Sequence, residues 1–263
     1  MEVRLYPNII RPSAGQKPRR ESQRPFLPQH SRHCPVLEAG SALGFLVYPP
    51  LEKIESFHIG YQGDGRYQLT YFLTAPGKPG EAIFSLLMQL PMGGVGMVRE
   101  QITFMNKEHP IPPETAMLLA RAFIVPEDLG TPAGGVSLRG ATNFQTPPGW
   151  DTVYTPVFNM IERPNAPMLI IRVETDWFPH ETEFRYVLQP GEGINCSHHI
   201  PVGQVVFVPR EEVTLRDATA EEAEAFNRAK DEFFREKAGL QNTTGYGLQY
   251  SPLYLKQSRS QKP

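Results

Sequence analysis

Apolar and polar positions along this chain alternate in short runs bounded by Pro, Gly or Asn, the pattern of strands rather than of long helices. In FHIGYQGDGRYQLTYFLT, Tyr67, Leu69 and Tyr71 alternate behind Asp64-Gly65. That dipeptide tolerates the positive φ of a two-residue turn, so the run predicts a β-hairpin. Leu43, Phe45 and Val47 alternate in the same way before Pro49 and Pro50 stop the strand. TVYTPVFNMI, PMLIIRVETD, TEFRYVLQPG and GQVVFVPREE are four further strand candidates, each closed by turn residues. In TEFRYVL, Glu183, Arg185 and Val187 share one face and Phe184, Tyr186 and Leu188 the other, which reads Glu183 and Arg185 as a solvated pair. EAIFSLLMQL fits either a buried strand or a helical turn, and Pro91 with the glycines at 93, 94 and 96 breaks it.

Two segments carry the helical period instead. PPETAMLLARAF predicts a short helix near 114–123, with Met117, Leu118 and Ala122 at helical spacing. DATAEEAEAFNRAKDEFFREKAG predicts a helix near 220–238: Thr219 and Glu222 form a capping box, Phe226, Ala229 and Phe233 share a face, and Gly239 supplies the stop. Residues 131–148 read as a Gly/Pro/Thr loop. At its end Pro147, Pro148 and Gly149 are expected to fix a turn that presents Trp150 to a concave face, with Asn159 hydrogen-bonding the turn's backbone. The fold class expected is therefore mainly β: an antiparallel β-sandwich or jelly-roll body with one short helix and a C-terminal helix laid on it.

Composition divides this chain further. Seven Lys or Arg against Glu2 and Glu21 give residues 1–35 a net charge of +5, leaving −7 for the rest. Residues 1–33 read as a basic, Pro/Arg-rich arm, flexible unless it docks on a partner, residues 34–215 as the β body, and residues 216–263 as C-terminal helix and tail. A formal net charge of −2 over the whole chain argues against a nucleic-acid partner. The 27 prolines exclude a mostly helical protein, since an interior proline costs a helix about 3 kcal/mol. Cys34 and Cys196 make neither a disulfide framework nor a zinc knuckle, and no apolar run approaches the roughly 18 residues that span a bilayer. A soluble, cytoplasmic protein without a membrane partner is expected.

Asp176, His180, Glu181, Glu183, His198 and His199 fall within one short stretch of sequence. Imidazole and carboxylate suit a divalent iron, zinc or manganese ion, and Asp176, His180, Glu181, His198 and His199 are the candidate ligands. Their spacing matches neither the H-x-D…H of iron oxygenases nor the H-x-H…E…H of cupins, so a solvated loop is the competing reading. Adjacent histidines in a strand point to opposite faces, which lets only one of His198 and His199 join such a site. Cys196 beside those histidines raises a nucleophile reading, without an oxyanion hole or an orienting carboxylate to complete it. The glycines at 93, 94 and 96 lack the Lys-Ser/Thr of a phosphate loop.

TPPGW, the Pro156–Asn159 stretch PVFN, VETD and IPVGQVVFVPRE occur in an order and spacing that resembles an uncharacterised family of phage and bacterial proteins. Trp150 stands where that family usually has Tyr, and Glu174 where it has Asp. The resemblance implies a β-rich fold and no activity. Trp150, Asn159 and Arg210 are the candidate ligand-binding residues. Two function classes follow: a binding or accessory module for a small ligand or protein partner, and a metal-dependent jelly-roll enzyme of non-haem iron or zinc type acting on a small molecule.

Overall fold

Asp64 and Gly65 both take positive φ, 50° and 71°, and fold β3 (Glu55–Gly63) back on β4 (Arg66–Leu73), as the dipeptide predicts. The structure, a computed structural model, describes residues 1–22, 34–74, 80–91, 99–106, 111–160, 166–243, 245, 247 and 249–261. It falls into two units, Met1–Arg210 and Glu211–Pro263.

In the larger unit the hairpin is the centre of an antiparallel sheet. The ambiguous apolar run is a strand, β5 (Glu81–Gln89), followed by β6 (Arg99–Phe104), while β12 (Gly193–Ser197) joins the other edge, giving the order β12-β3-β4-β5-β6. The glycine bend at 93, 94 and 96 lies outside the described residues. A second sheet has the order β10-β9-β13-β2, built from β2 (Phe45–Val47), β9 (Trp150–Thr155), β10 (Ile171–Val173) and β13 (Gly203–Pro209). β9 ends where Pro156 removes the next backbone donor.

Residues 131–148 are more than the expected loop. They contain β7 (Gly135–Arg139), which pairs with β11 (Glu183–Val187), and β8 (Thr142–Gln145), which pairs with β1 (Arg4–Pro7). Both are short, and partners more than 40 residues away supply the order that local sequence does not. The described part of the N-terminal arm is docked on the unit's own strands. Beyond the β1–β8 pairing, Ala14 is buried, Arg11 is ion-paired with Glu55, and Arg19 bridges Leu46. The segment before β2 is a short helix, α1 (Pro35–Ser41), opened by Pro35, where only a strand was expected.

The mainly β body encloses one large core. Phe57, Leu69, Phe84 and Leu86 from the five-stranded sheet meet Val136, Leu138, Tyr154, Phe184 and Val205 from the other sheets. The predicted short helix is α2 (Pro113–Phe123), but its buried stripe is Ala116, Ala120 and Phe123, while Leu118 is exposed. Small alanines let the helix approach the sheet, and Phe123 stacks on Phe57 at 4.8 Å between ring centroids. β13 comes equally close to β11: a Cβ at Gly203 would lie 2.0 Å from Cδ1 of the fully buried Phe184. We expect Gly203→Ala to lower stability by roughly 1–3 kcal/mol through this overpacking, read as a fall in the urea midpoint at unchanged slope. An unchanged midpoint would mean that the Phe184 ring yields freely.

The smaller unit carries α3 (Ala220–Gly239) and α4 (Leu253–Ser260), with two residue pairs of antiparallel strand between them. The predicted capping box is formed in both directions between Thr219 and Glu222, and Gly239 is the last helical residue rather than the one beyond it. Of the predicted apolar face, Phe226 is exposed, and no α3 residue is buried. Among the described residues no helix is long and apolar enough to cross a membrane.

Candidate functional site

The predicted metal ligands all lie in turns and connecting segments outside the strands, and four of them go to partners of their own. Asp176 accepts hydrogen bonds from Arg210 Nη2 at 2.7 Å and from the Gly149 amide at 3.0 Å. Glu181 is ion-paired with Arg139. The His180 ring lies edge-on to Tyr154 and stacks on Phe178, with centroids 5.4 and 5.9 Å away, and burial lowers its pKa. His198 Nδ1 bonds the Leu51 carbonyl at 2.6 Å, and His199 is exposed. Among the described residues no group of three or more His, Cys, Asp or Glu side chains is arranged to hold a metal ion. The Cys196 thiol faces the core, where burial pushes its pKa far up, so it is no nucleophile.

Of the three residues expected to bind ligand, two meet at one turn. Trp150 opens β9 opposite Pro209, half-buried, and Arg210 donates its amide to the Gly149 carbonyl at 2.8 Å. The turn has the expected shape: Gly149 takes φ 79° and the Trp150 amide bonds Pro147 O at 3.2 Å. Arg210 also clamps Asp151, 2% exposed, through Nε at 2.9 Å and Nη2 at 2.6 Å, and Arg172 reaches the same carboxylate from the other side. These hydrogen bonds, Arg210's foremost, hold the Asp151 carboxyl below its usual range. The proline-rich turn is thus locked by a charge network. Asn159 instead leaves the turn: it takes φ 59° and donates through Nδ2 to Leu37 O and Ser41 Oγ, fastening α1.

Glu183 and Arg185 are not a solvated pair, because their side chains are only 15% and 23% exposed. Arg185 Nη2 lies 2.6 Å from an Asp128 carboxylate oxygen and 3.3 Å from Glu183 Oε1. Burial, with Asp128 beside it, pushes the Glu183 carboxyl up to about 7.

An open cleft lies elsewhere, at the edge of the five-stranded sheet. Strand alternation sends Ile194, Cys196, Phe57, Ile59, Leu69 and Tyr71 into the core and the intervening residues to the opposite face. Register sets those residues in rows: Ser197 beside Ser56 beside Phe72, then Asn195 beside His58 beside Thr70, then Gly193 beside Gly60 beside Gln68. A cleft of about 540 Å³ opens over the first rows, lined by Ser56, Phe72, Thr74, Asn195, Ser197 and Ile200 among others. The Ser197 hydroxyl is buried and makes no hydrogen bond. Glycine is required at the other end of β12: a Cβ at Gly193 would lie 2.3 Å from His58 Nε2, so only a bare backbone admits the imidazole. Burial lowers the His58 pKa.

Sequence reasoning missed this site because its residues sit on or next to three strands, with Ser56 and Ser197 141 positions apart, and carry no local motif. The available signal was Gly193, Asn195 and Ser197 alternating with Ile194 and Cys196. No family model, curated protein or solved structure matches the chain.

Proposed function

We propose that the protein is a binding module whose antiparallel body, of sandwich or jelly-roll type, holds a small molecule in the cleft between β12 and the β3–β4 hairpin. The observation that carries the reading is the cleft itself, whose volume of about 540 Å³ falls in the range of roughly 300–1,000 Å³ typical of small-molecule sites. A core shared by the five-stranded sheet and strands of the other sheets supports the sandwich reading. Both cysteines are free, which supports a reducing, cytoplasmic setting. Membership of the phage and bacterial family rests on the motifs around the Gly149 turn and β13. The metal-dependent alternative draws less support, because Asp176, His180, Glu181 and His198 each engage other protein groups.

The test is a thermal-shift screen of small polar fragments on the wild-type chain and on Asn195→Trp. Asn195 is exposed on an edge strand, so the indole fills the cleft without disturbing the core. Fragments that raise the Tm of the wild type are expected to lose that effect in the variant. Stabilisation that survives the substitution, or none from any fragment, would contradict the reading.

A further inference from the structure

We infer that the ligand of this cleft is a neutral, polyhydroxylated molecule about the size of a sugar ring, bound at its edge by the hydroxyls and amide of Ser56, Thr74, Asn195 and Ser197 and covered on one side by Phe72. The inference rests on the small-ligand reading above and specifies its chemistry.

Charge is the first argument. Among the described residues no Asp, Glu, Lys or Arg side chain lines the cleft, and the neighbouring row adds His58, whose pKa burial lowers. A carboxylate, phosphate or ammonium entering it would lose hydration without gaining a counter-charge from these residues. Hydrogen-bonding capacity is the second. Each hydroxyl of Ser56, Thr74 and Ser197 both donates and accepts, and the Asn195 amide offers two donors and an acceptor. Sugar hydroxyls also do both, so each can be matched whichever way it points. A wholly apolar ligand would leave these groups unpaired, at a cost of about 1–3 kcal/mol for each one buried.

Shape is the third. Phe72, Ser56 and Ser197 lie side by side on three adjacent strands. Neighbouring strands are about 4.8 Å apart, so Phe72 and Ser197 stand about 10 Å from each other across the row. That span fits one ring with its substituents, its apolar face toward Phe72 and its hydroxyl edge toward Ser56 and Ser197. Phe72 is the aromatic side chain on this face of the lining; Phe57 is turned into the core at 1% exposure. A planar base gains most when stacked on both sides, and one ring serves it less well than it serves a sugar with one apolar face.

The experiment uses the ¹⁵N-labelled full chain, titrated separately with methyl glucoside, maltose, glucuronate, glucosamine and adenosine. The neutral sugars are expected to shift the backbone amides of Ser56, Thr74, Gly193 and Ser197 and the side-chain amide of Asn195. Asn195→Asp, which replaces two donors by a charged acceptor, should weaken that binding about tenfold. Stronger shifts of the same amides by glucuronate, glucosamine or adenosine would overturn the ligand class and leave the small-molecule site standing. Shifts confined to other surfaces, or none from any of the five compounds, would overturn both.

Discussion

Replacing Glu55 by alanine is expected to destabilise the larger unit by about 3–5 kcal/mol, the range for removing one member of a buried ion pair. The Glu55 side chain is 8% exposed and accepts four hydrogen bonds: from Arg11 Nη1 at 2.7 Å and Nη2 at 2.9 Å, from the Tyr71 hydroxyl at 2.6 Å, and from the Glu52 amide at 2.6 Å. Burial alone would raise its pKa, but these donors, with Arg11 foremost, outweigh it and hold the carboxyl below its ordinary value. Its truncation strands a guanidinium and a phenol together. The pair also ties residues 1–22 to β3, so Arg11→Ala should expose the N-terminal segment to limited proteolysis. Urea unfolding of both single variants and the double variant checks the account: the double should cost clearly less than the sum of the singles. Strict additivity would mean that Arg11 and Glu55 act independently.

The second large effect has the opposite dependence on pH. Glu183 ordinarily titrates at 4.5 and is pushed up to about 7, first by burial and then by Asp128 and its hydrogen bond, against the pull of Arg185 and Arg139. Below pH 4.5 the carboxyl is protonated in both folded and unfolded chains, and its contribution to stability is fully present. From pH 4.5 to about 7 the unfolded chain releases the proton while the folded chain keeps it, so stability falls as pH rises, by at most about 3 kcal/mol. Glu55, with its lowered pKa, behaves inversely and loses its contribution as pH falls below 4.5. Glu183→Gln mimics the protonated form. The variant should match the wild type near pH 4.5 and exceed it by up to about 3 kcal/mol at pH 8, measured by urea unfolding across the range. An equal difference at every pH would remove Glu183 from this role.

Some of this architecture was legible because local chemistry and tertiary structure agree. Asp64-Gly65 forced its hairpin, the Thr219–Glu222 box opened its helix, and the alternation through Phe184, Tyr186 and Leu188 gave the buried face of β11. β7 and β8 were not legible, because four or five residues among glycines, threonines and prolines become strands only when β11 and β1 arrive. The docked N-terminus escaped notice for a different reason. It is held by Arg11, by Asn8, whose amide bonds Gly140 O at 3.1 Å, and by the small Ala14, rather than by the aliphatic residues that composition counts.

The candidate site was the least legible part. Nearness in sequence drew His180, Glu181, His198 and His199 into one hypothesis, yet His180 and Glu181 lie just before β11, His198 and His199 in the turn after β12, and the first three go to separate partners while His199 is exposed. Ser56, Phe72, Asn195 and Ser197 are unremarkable residues whose meaning comes only from register.

Crystallographic fragment screening of the full chain tests the central claim most directly. Bound fragments should cluster in the β12 cleft, hydrogen-bonded to Asn195 and Ser197 and flanked by Phe72. Fragments gathered instead around Asp128 and Glu183, or at the Trp150–Arg210 turn, with the cleft holding none, would contradict it.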